Sequence, residues 1–233
     1  MLGSTLWRPT SERDSTPSKI DQLRTTAPLI YNLRLPDLPY TPGTDAAGNV
    51  EKVGKNVSTV KVGDRVFVVG SNISNNSGSY AEFVVTDSTY VFPLHPRLSY
   101  AQGASLGVPF FTAYKALVLR AQTKPGETVL VHGASGAVGT AAVQIARAMG
   151  ALVVGTAGTK EGMDVVSQCG AHHVFNHNHK NYDKKMVDHL GAGFDVIIEH
   201  LANINLGHDI QMIQPGARVM IVGCRGSVNI NPR

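Results

Sequence analysis

The feature that most restricts this chain is VLVHGASGAVG, which sets Gly133, Gly136 and Gly139 three residues apart between a β-branched apolar run and a helical one. Gly133 is placed for a tight turn, Gly136 for close approach of the backbone to a pyrophosphate, and Gly139 for tight packing of the next helix on the sheet. A helix starting there offers a negative ligand unpaired N–H groups and the positive end of its dipole. From Lys124-Pro125-Gly126 onward, strands ETVLVHG, LVVGT, HVF, DVIIEHL and ARVMIVG alternate with helices VGTAAVQIARAMG, EGMDVVSQCG, YDKKMVDHLG and LGHDIQMIQ. Strands that are nearly continuous Val/Ile/Leu runs, joined by helices, predict an α/β fold with a doubly wound parallel sheet covered on both faces. Five strands are legible where the dinucleotide-binding form of that fold has six, and a further unit is expected after INPR.

Ahead of this sheet the texture changes twice. Residues 1–36 are rich in Ser, Thr, Pro and Arg and show no period, which predicts an atypical, disordered segment. Arg8, Arg13 and Arg24 give it some transit-peptide character, but Glu12, Asp14 and Asp21 interrupt that pattern. Residues 37–98 hold short β-branched runs between glycine turns, NVEKVG, VGDRVFVVG and GSYAEFVVT, and predict a small antiparallel β domain. Residues 99–233 form the nucleotide domain, led in by SYAQGASLGVPFFTAYKALVLRA, which Gly107 and Pro109 divide into two helical pieces. With 42% hydrophobic and only 16% charged residues, the chain is neither disordered throughout nor a coiled coil. No run approaches the roughly 20 apolar residues of a membrane span, so no membrane partner and a cytoplasmic location are expected. Two cysteines, Cys169 and Cys224, are too few for a structural zinc module or a disulfide scaffold. The net charge of +4 favours anionic partners.

The end of the second strand bears on which nucleotide is bound. An acid about 20 residues after the glycine pattern would take a ribose 2′-hydroxyl, whereas a 2′-phosphate needs that acid absent and a cation near. The stretch here is VVGTAGTK, with no acid before Glu161, room at Gly158 and a cation at Lys160, so NADPH is expected over NADH. Lys160 is equally readable as a solvated surface residue.

The phrases LPYTPGTDAAG, VGDRVF, GSYAEF, GASLGVPFFTAYKAL, VLVHGASGAVG, GTAGTKEG, VFNH, IIEHLANINL and VGCRGSVNINPR, spread from Leu38 to Arg233, resemble the zeta-crystallin-like quinone oxidoreductases of the medium-chain dehydrogenase/reductase superfamily. The resemblance implies a partial GroES-like catalytic β domain followed by a Rossmann domain, with NADPH in the cleft between them and one-electron reduction of quinones. It further implies that Ser135, Gly136, Ala137 and Val138 cradle the pyrophosphate, with Ala137 where a glycine is common. Gly158 would lie by the adenosine ribose, His177 and Asn205 would contact the cofactor, and Val222, Gly223, Cys224 and Arg225 would form the loop after the fifth strand, Cys224 replacing a usual serine. Each has a rival reading: His177 in a metal cluster with His172, His173 and His179, Arg225 as a surface charge, Asn205 as the cap of helix LGHDIQMIQ.

Zinc-dependent relatives hold their metal with Cys and His of the β domain, and residues 37–98 contain no Cys and only His95, so a zinc-independent reaction is expected. No catalytic residue is assigned: Tyr40, Phe110, Phe111 and Tyr114 fit an aromatic quinone pocket or plain packing equally well. The family's first β strands, with a Gly-Val-Asn-Pro phrase and a tyrosine facing the nicotinamide, should precede Leu38, and its last Rossmann unit should follow Arg233. A truncated form is therefore expected, with a sheet edge exposed. Beside the quinone reductase stand a double-bond (enone) reductase on the same scaffold, an AU-rich RNA-binding protein, and a catalytically silent NADPH-binding crystallin-like protein. Homo-oligomerisation is implied by the resemblance alone.

Overall fold

The computed structural model describes residues 2–4, 40–70 and 78–230, the first three by their backbone alone. Apart from residues 2–4, the segment 1–36 lies outside the described residues, and with it the expectation of disorder there. The chain divides into two compact units, Met1–Val108 and Pro109–Arg233.

The first unit is built on an antiparallel sheet of β1 (Leu2–Ser4), β2 (Ala46–Val50), β3 (Arg65–Val68), β4 (Phe83–Val84) and β5 (Val91–Pro93), in the order β4-β1-β2-β3-β5. Alternation decides its inner face: Val66 and Val68 are buried with Ala46, Val50 and Val91, and the residues between them turn away. Phe67 and Phe92, directly opposite on β3 and β5, stack with ring centroids 5.5 Å apart. Helix α1 (Tyr100–Ser105) packs on β2 and β3, so this part of the expected lead-in to the nucleotide domain is counted with the first unit. Ser99 caps it in a capping box with Gln102. Helix α2 (Gly107–Tyr114) follows after the break expected at Gly107, and its start is tied down by Asp45. The Asp45 carboxylate accepts from the N–H groups of Val108 at 2.9 Å and Gly70 at 3.1 Å. A π-helical turn over Lys115–Arg120 continues α2, with the Ala121 N–H donating to Ala116 O at 2.8 Å.

The second unit carries β6 (Thr128–Val131), β7 (Leu152–Ala157), β8 (His173–Asn176), β9 (Phe194–Glu199) and β10 (Ile213–Ile221), all parallel, in the order β10-β9-β6-β7-β8. The chain runs outward from β6 to β8, then returns to lay β9 on the other side of β6. This is the dinucleotide-binding order with its first five strands present, and the order reverses between β6 and β9. Strand alternation sorts the core in two. Val129, Val131, Val153, Val196 and Ile198 pack with α3 (Ala137–Ala148) and α4 (Lys160–Gln168) through Ala141, Ala142, Ala146 and Val166. Leu130, Val154 and Ile197 pack with α5 (Tyr182–Leu190) and α6 (Ala202–Met212) through Met186 and Met212. Burial on both sides is why these strands read as unbroken apolar runs. Helix α6 begins four residues earlier than LGHDIQMIQ suggests, and its N-cap is Leu201. Asn205 is therefore inside the first turns of the helix and does not cap it.

Candidate functional site

The turn after β6 behaves as its three glycines require. Gly133 has φ +54°, a conformation L side chains rarely adopt. A Cβ on Gly139 would stand 2.5 Å from Gly133 O and 2.6 Å from Ala134 Cα, so only glycine lets α3 come this close to the strand end. Gly136 is the N-cap of α3 and has no side chain to cap with, and Thr140 is the first residue to donate back, to Gly136 O at 2.8 Å. The N–H groups of Ala137, Val138 and Gly139 therefore stand at the helix start without intrahelical acceptors. Ser135, Gly136 and Ala137 are exposed there, while Val138 is partly buried against the core. A phosphate is the natural occupant of such a terminus.

Beside this turn, at the C-terminal edge of the sheet, lies a cavity of about 340 Å³ lined by His132, Gly133, Thr156, His177, Tyr182, His200, Leu201, Ile204, Asn205 and His208. It sits over the point where the strand order reverses, the general position of ligand sites in open α/β sheets. The backbone knits its floor: the Gly133 N–H donates to Thr156 Oγ1 at 3.2 Å, the Ala134 N–H to Thr156 O at 2.7 Å, and the His132 N–H to Ile198 O at 3.1 Å. Burial holds the imidazoles of His177 and His200 below their usual value, with the nearby His132 adding to the effect in both, and pushes the Tyr182 phenol up to about 12.

Of the residues singled out from sequence, the cavity brings together His177 and Asn205. Gly158 closes against His177: a Cβ there would lie 2.7 Å from His177 Nε2. Ser135 through Val138 do not line the cavity; they follow Gly133, which does, into the start of α3. The loop Val222, Gly223, Cys224 and Arg225 packs along the segment from Glu199 to Asn203. Val222 and Gly223 donate to Glu199 O at 2.8 and 3.3 Å, and the Arg225 N–H donates to Asn203 Oδ1 at 2.9 Å. A Cβ on Gly223 would fall 2.4 Å from His200 O, which explains that glycine. The Cys224 thiol donates to Gly226 O at 3.1 Å. Lys160 is 85% exposed and its Nζ is 3.2 Å from Asp164 Oδ2, one turn along α4. The histidines of the metal-cluster reading do not converge: His172 is bonded to Arg147, and His173 sits 3.1 Å from His189, whereas His177 faces the cavity.

Sequence reasoning missed His132, Thr156, Tyr182, His200 and His208 in the cavity wall, and Glu199 and Asp209 beneath it. Glu199 and Asp209 are fully buried, and the His132 side chain is 4% exposed. A signal was available for two of them: His132 follows the apolar run VLV and Glu199 the apolar run VII, and a polar residue at the C-terminal end of a buried parallel strand faces the ligand edge.

Two units, an antiparallel β sheet and a dinucleotide-binding sheet with a glycine cradle at its switch point, define a nicotinamide-dependent oxidoreductase scaffold. Both units match domain families of the medium-chain dehydrogenase/reductase superfamily. Residues 18–96 match the alcohol dehydrogenase GroES-like domain, a match that begins inside the segment 1–36 which the sequence reading set apart. Residues 137–233 match the zinc-binding dehydrogenase family. The quinone oxidoreductase of Homo sapiens is 53% identical over 201 residues, 86% of this chain and 60% of that protein, so the chain spans about three fifths of the curated relatives it matches. Among solved structures, the Escherichia coli quinone oxidoreductase complexed with NADPH aligns with TM-score 0.75 at 28% identity, over 85% of this chain and 61% of that one. The CurK enoyl reductase aligns with TM-score 0.72 at 29% identity, over 86% and 59%.

Proposed function

We propose that the chain binds NADPH in the second unit and acts as a zinc-independent quinone reductase, transferring electrons one at a time to the acceptor. The observation that carries this is the open glycine turn and α3 N-terminus beside the switch-point cavity, with the helix start held close to the strand end by the glycine at position 139. The residues present fit the cofactor: Ser135, Gly136, Ala137 and Val138 would receive the pyrophosphate, Gly158 the adenosine ribose, and His177 and Asn205 the part of the cofactor within the cavity. Val222, Gly223, Cys224 and Arg225 would close the far side of the site. Support for NADPH over NADH is the absence of an acid between Thr156 and Lys160, which leaves nothing to repel a 2′-phosphate. Lys160, paired with Asp164, is a weaker part of that argument than its sequence position suggests. The bound nicotinamide supplies the electrons, and the protein positions it and excludes competing reactions. Residues 37–98 offer no cysteine and one histidine, a poor donor set for catalytic zinc. The human and E. coli quinone oxidoreductases support quinone as acceptor.

A double-bond reductase is the second reading, favoured by the likeness to the CurK enoyl reductase. The test is a fluorescence titration of the whole chain with NADPH and, in parallel, NADH, followed by turnover with a quinone and with an enone. Saturable binding with NADPH preferred and quinone turned over is the expected result. A folded chain that binds neither nucleotide refutes the proposal, and turnover of the enone alone replaces it with the second reading.

A further inference from the structure

Directly under the cavity, at the ends of the two strands that flank the switch point, three titratable side chains meet in the dry interior. His132 follows β6, Glu199 ends β9 and Asp209 comes from α6. His132 Nε2 is 2.9 Å from Asp209 Oδ1 and 3.7 Å from Glu199 Oε2, and one donor or acceptor atom from each lies within 4.8 Å of the others. Glu199 uses its two oxygens differently. Oε1 accepts from the Leu201 N–H and from Asn205 Nδ2, the latter at 3.2 Å. Oε2 is buried with no hydrogen-bond partner among the described residues, and so is Asp209 Oδ2.

Two ionised carboxylates held this close with one imidazole would leave buried, charged lone pairs unmatched, which is costly. A hydrogen on Glu199 Oε2 changes the orphaned acceptor into a donor, and the orphaned oxygen of Asp209, in the same buried cluster, is a matching acceptor. The groups facing the pair are His132 from the end of β6, Asn205 and Asp209 from α6, Tyr182 from α5, and His200 next in the chain. Burial is the main influence pushing the Glu199 carboxyl up and the Asp209 charge adds to it, against the pull of His132 and of the hydrogen bonds from Leu201 and Asn205 in the other direction.

We propose that Glu199 is a positioning residue held as a neutral carboxylic acid. Its Oε2–H is directed at Asp209, and its Oε1 pins Leu201 and Asn205 so that Asn205 offers its carbonyl Oδ1 to a donor of the bound ligand. Asn205 lines the cavity, and with Nδ2 committed to Glu199 the remaining end of its amide can only accept. The donors on a nicotinamide nucleotide that fit are an amide N–H or a ribose hydroxyl. This rests on the reading that the cavity holds NADPH.

The test has two arms on the whole chain. In the first, infrared spectra of the ligand-free protein at pH 7 show a protonated-carboxyl band in the wild type. It is absent in Glu199→Gln, and absent in Asp209→Asn, where an amide N–H supplies the hydrogen from the other side and Glu199 ionises. In the second, NADPH titrations give Glu199→Gln and Asp209→Asn affinities within about threefold of wild type. Glu199→Leu, which loses the acceptor for Leu201 and Asn205, weakens by roughly tenfold or more, with circular dichroism confirming its fold. Should Glu199→Leu not fold, the other two variants still decide. No carboxyl band in the wild type, a band that persists in Asp209→Asn, or a Glu199→Gln as weak as Glu199→Leu overturns the proposal. So does a stoichiometric divalent metal that leaves with Glu199→Gln. A band that behaves as expected in a chain that binds no NADPH would sink the cofactor reading and leave the buried proton standing.

Discussion

The same substitution, Gly→Ala, should have opposite signs at two helical positions of the second unit. At Gly139 the added methyl would stand 2.5 Å from Gly133 O, 2.6 Å from Ala134 Cα and 2.8 Å from Ala134 C, all backbone atoms that no rotamer change can move. Relief requires α3 to lift from the strand end, at about 3 kcal/mol for a substitution of this kind. Helix propensity returns about 1 kcal/mol, leaving a net loss of about 2 kcal/mol. At Gly207 in α6 a Cβ would meet nothing within 4 Å, so only the propensity gain of up to about 1 kcal/mol remains. For a chain of this length each kcal/mol moves the melting temperature by roughly 2–4 °C, so Gly139→Ala should melt roughly 4–8 °C lower and Gly207→Ala up to about 4 °C higher. Far-UV circular dichroism melts at matched concentration measure both. Gly139→Ala should also lose nucleotide affinity, because the shift moves the N–H groups of the helix start. A Gly139→Ala melt equal to or above wild type would refute the claim that α3 is pressed onto the Gly133–Ala134 turn, and with it the reason for a glycine there.

Further outcomes follow from two particular contacts. Arg218 grips Glu127 with both ends of its guanidinium, at 2.9 and 2.8 Å, and donates from Nε to Ala121 O at 3.0 Å. Arg218→Ala should cost about 2 kcal/mol at neutral pH. The Arg218 hydrogen bonds hold the Glu127 carboxyl below its usual range, so this stabilisation is complete above the unfolded value near 4.5 and disappears as pH falls through the lower folded value. Urea melts from pH 7 to pH 3 should therefore show the gap between wild type and Glu127→Gln closing at the acid end, and a gap that widens there would contradict the sign. Gly158→Ala presses on side-chain ends, His177 Nε2 at 2.7 Å and Asn178 Nδ2 at 3.0 Å, so stability should change by less than about 1 kcal/mol. NADPH affinity should drop by roughly tenfold as His177 is displaced into the cavity, and titration curves that superimpose on wild type would show that Gly158 does not set the position of His177.

The parallel sheet was legible because its strands are buried on both faces. Runs such as VLV and VII admit little else once helices of the right length separate them. The turn at Gly133 was legible for a related reason, since three glycines at one spacing answer three separate steric demands, and the Cβ contacts at Gly139 bear out one of them. The start of α6 was not, because Leu201 has no capping side chain of its own: the acceptor for its N–H is Glu199, two residues upstream and outside the helix. The cavity wall was only half legible. His177 and Asn205 were reached through a resemblance, whereas His132, Tyr182 and His208 come from three separate elements, and their meeting depends on the strand order, which spacing along the chain does not state.

What those missed residues share is a place in or beneath the cavity at the C-terminal edge of the sheet. A strand covered on both faces can carry a polar side chain cheaply only at its end, and His132, Thr156 and Glu199 stand at or next to the C-terminal ends of β6, β7 and β9. Burial keeps His177 and His200 short of their ordinary basicity, so at neutral pH they line the cavity as uncharged rings. Such a wall suits an uncharged aromatic or sugar portion of a ligand and gives little hold on a phosphate. On the proposed reading, phosphate recognition falls to the helix start at Ala137, Val138 and Gly139, whose N–H dipoles are fixed and remain unchanged by pH. The proposed site would thus separate the two tasks of holding a dinucleotide. Backbone at the α3 terminus would meet the charge and the side chains over a buried acid the rest, with His132 linking the two, since it precedes Gly133 and its Nε2 is 3.7 Å from Glu199 Oε2.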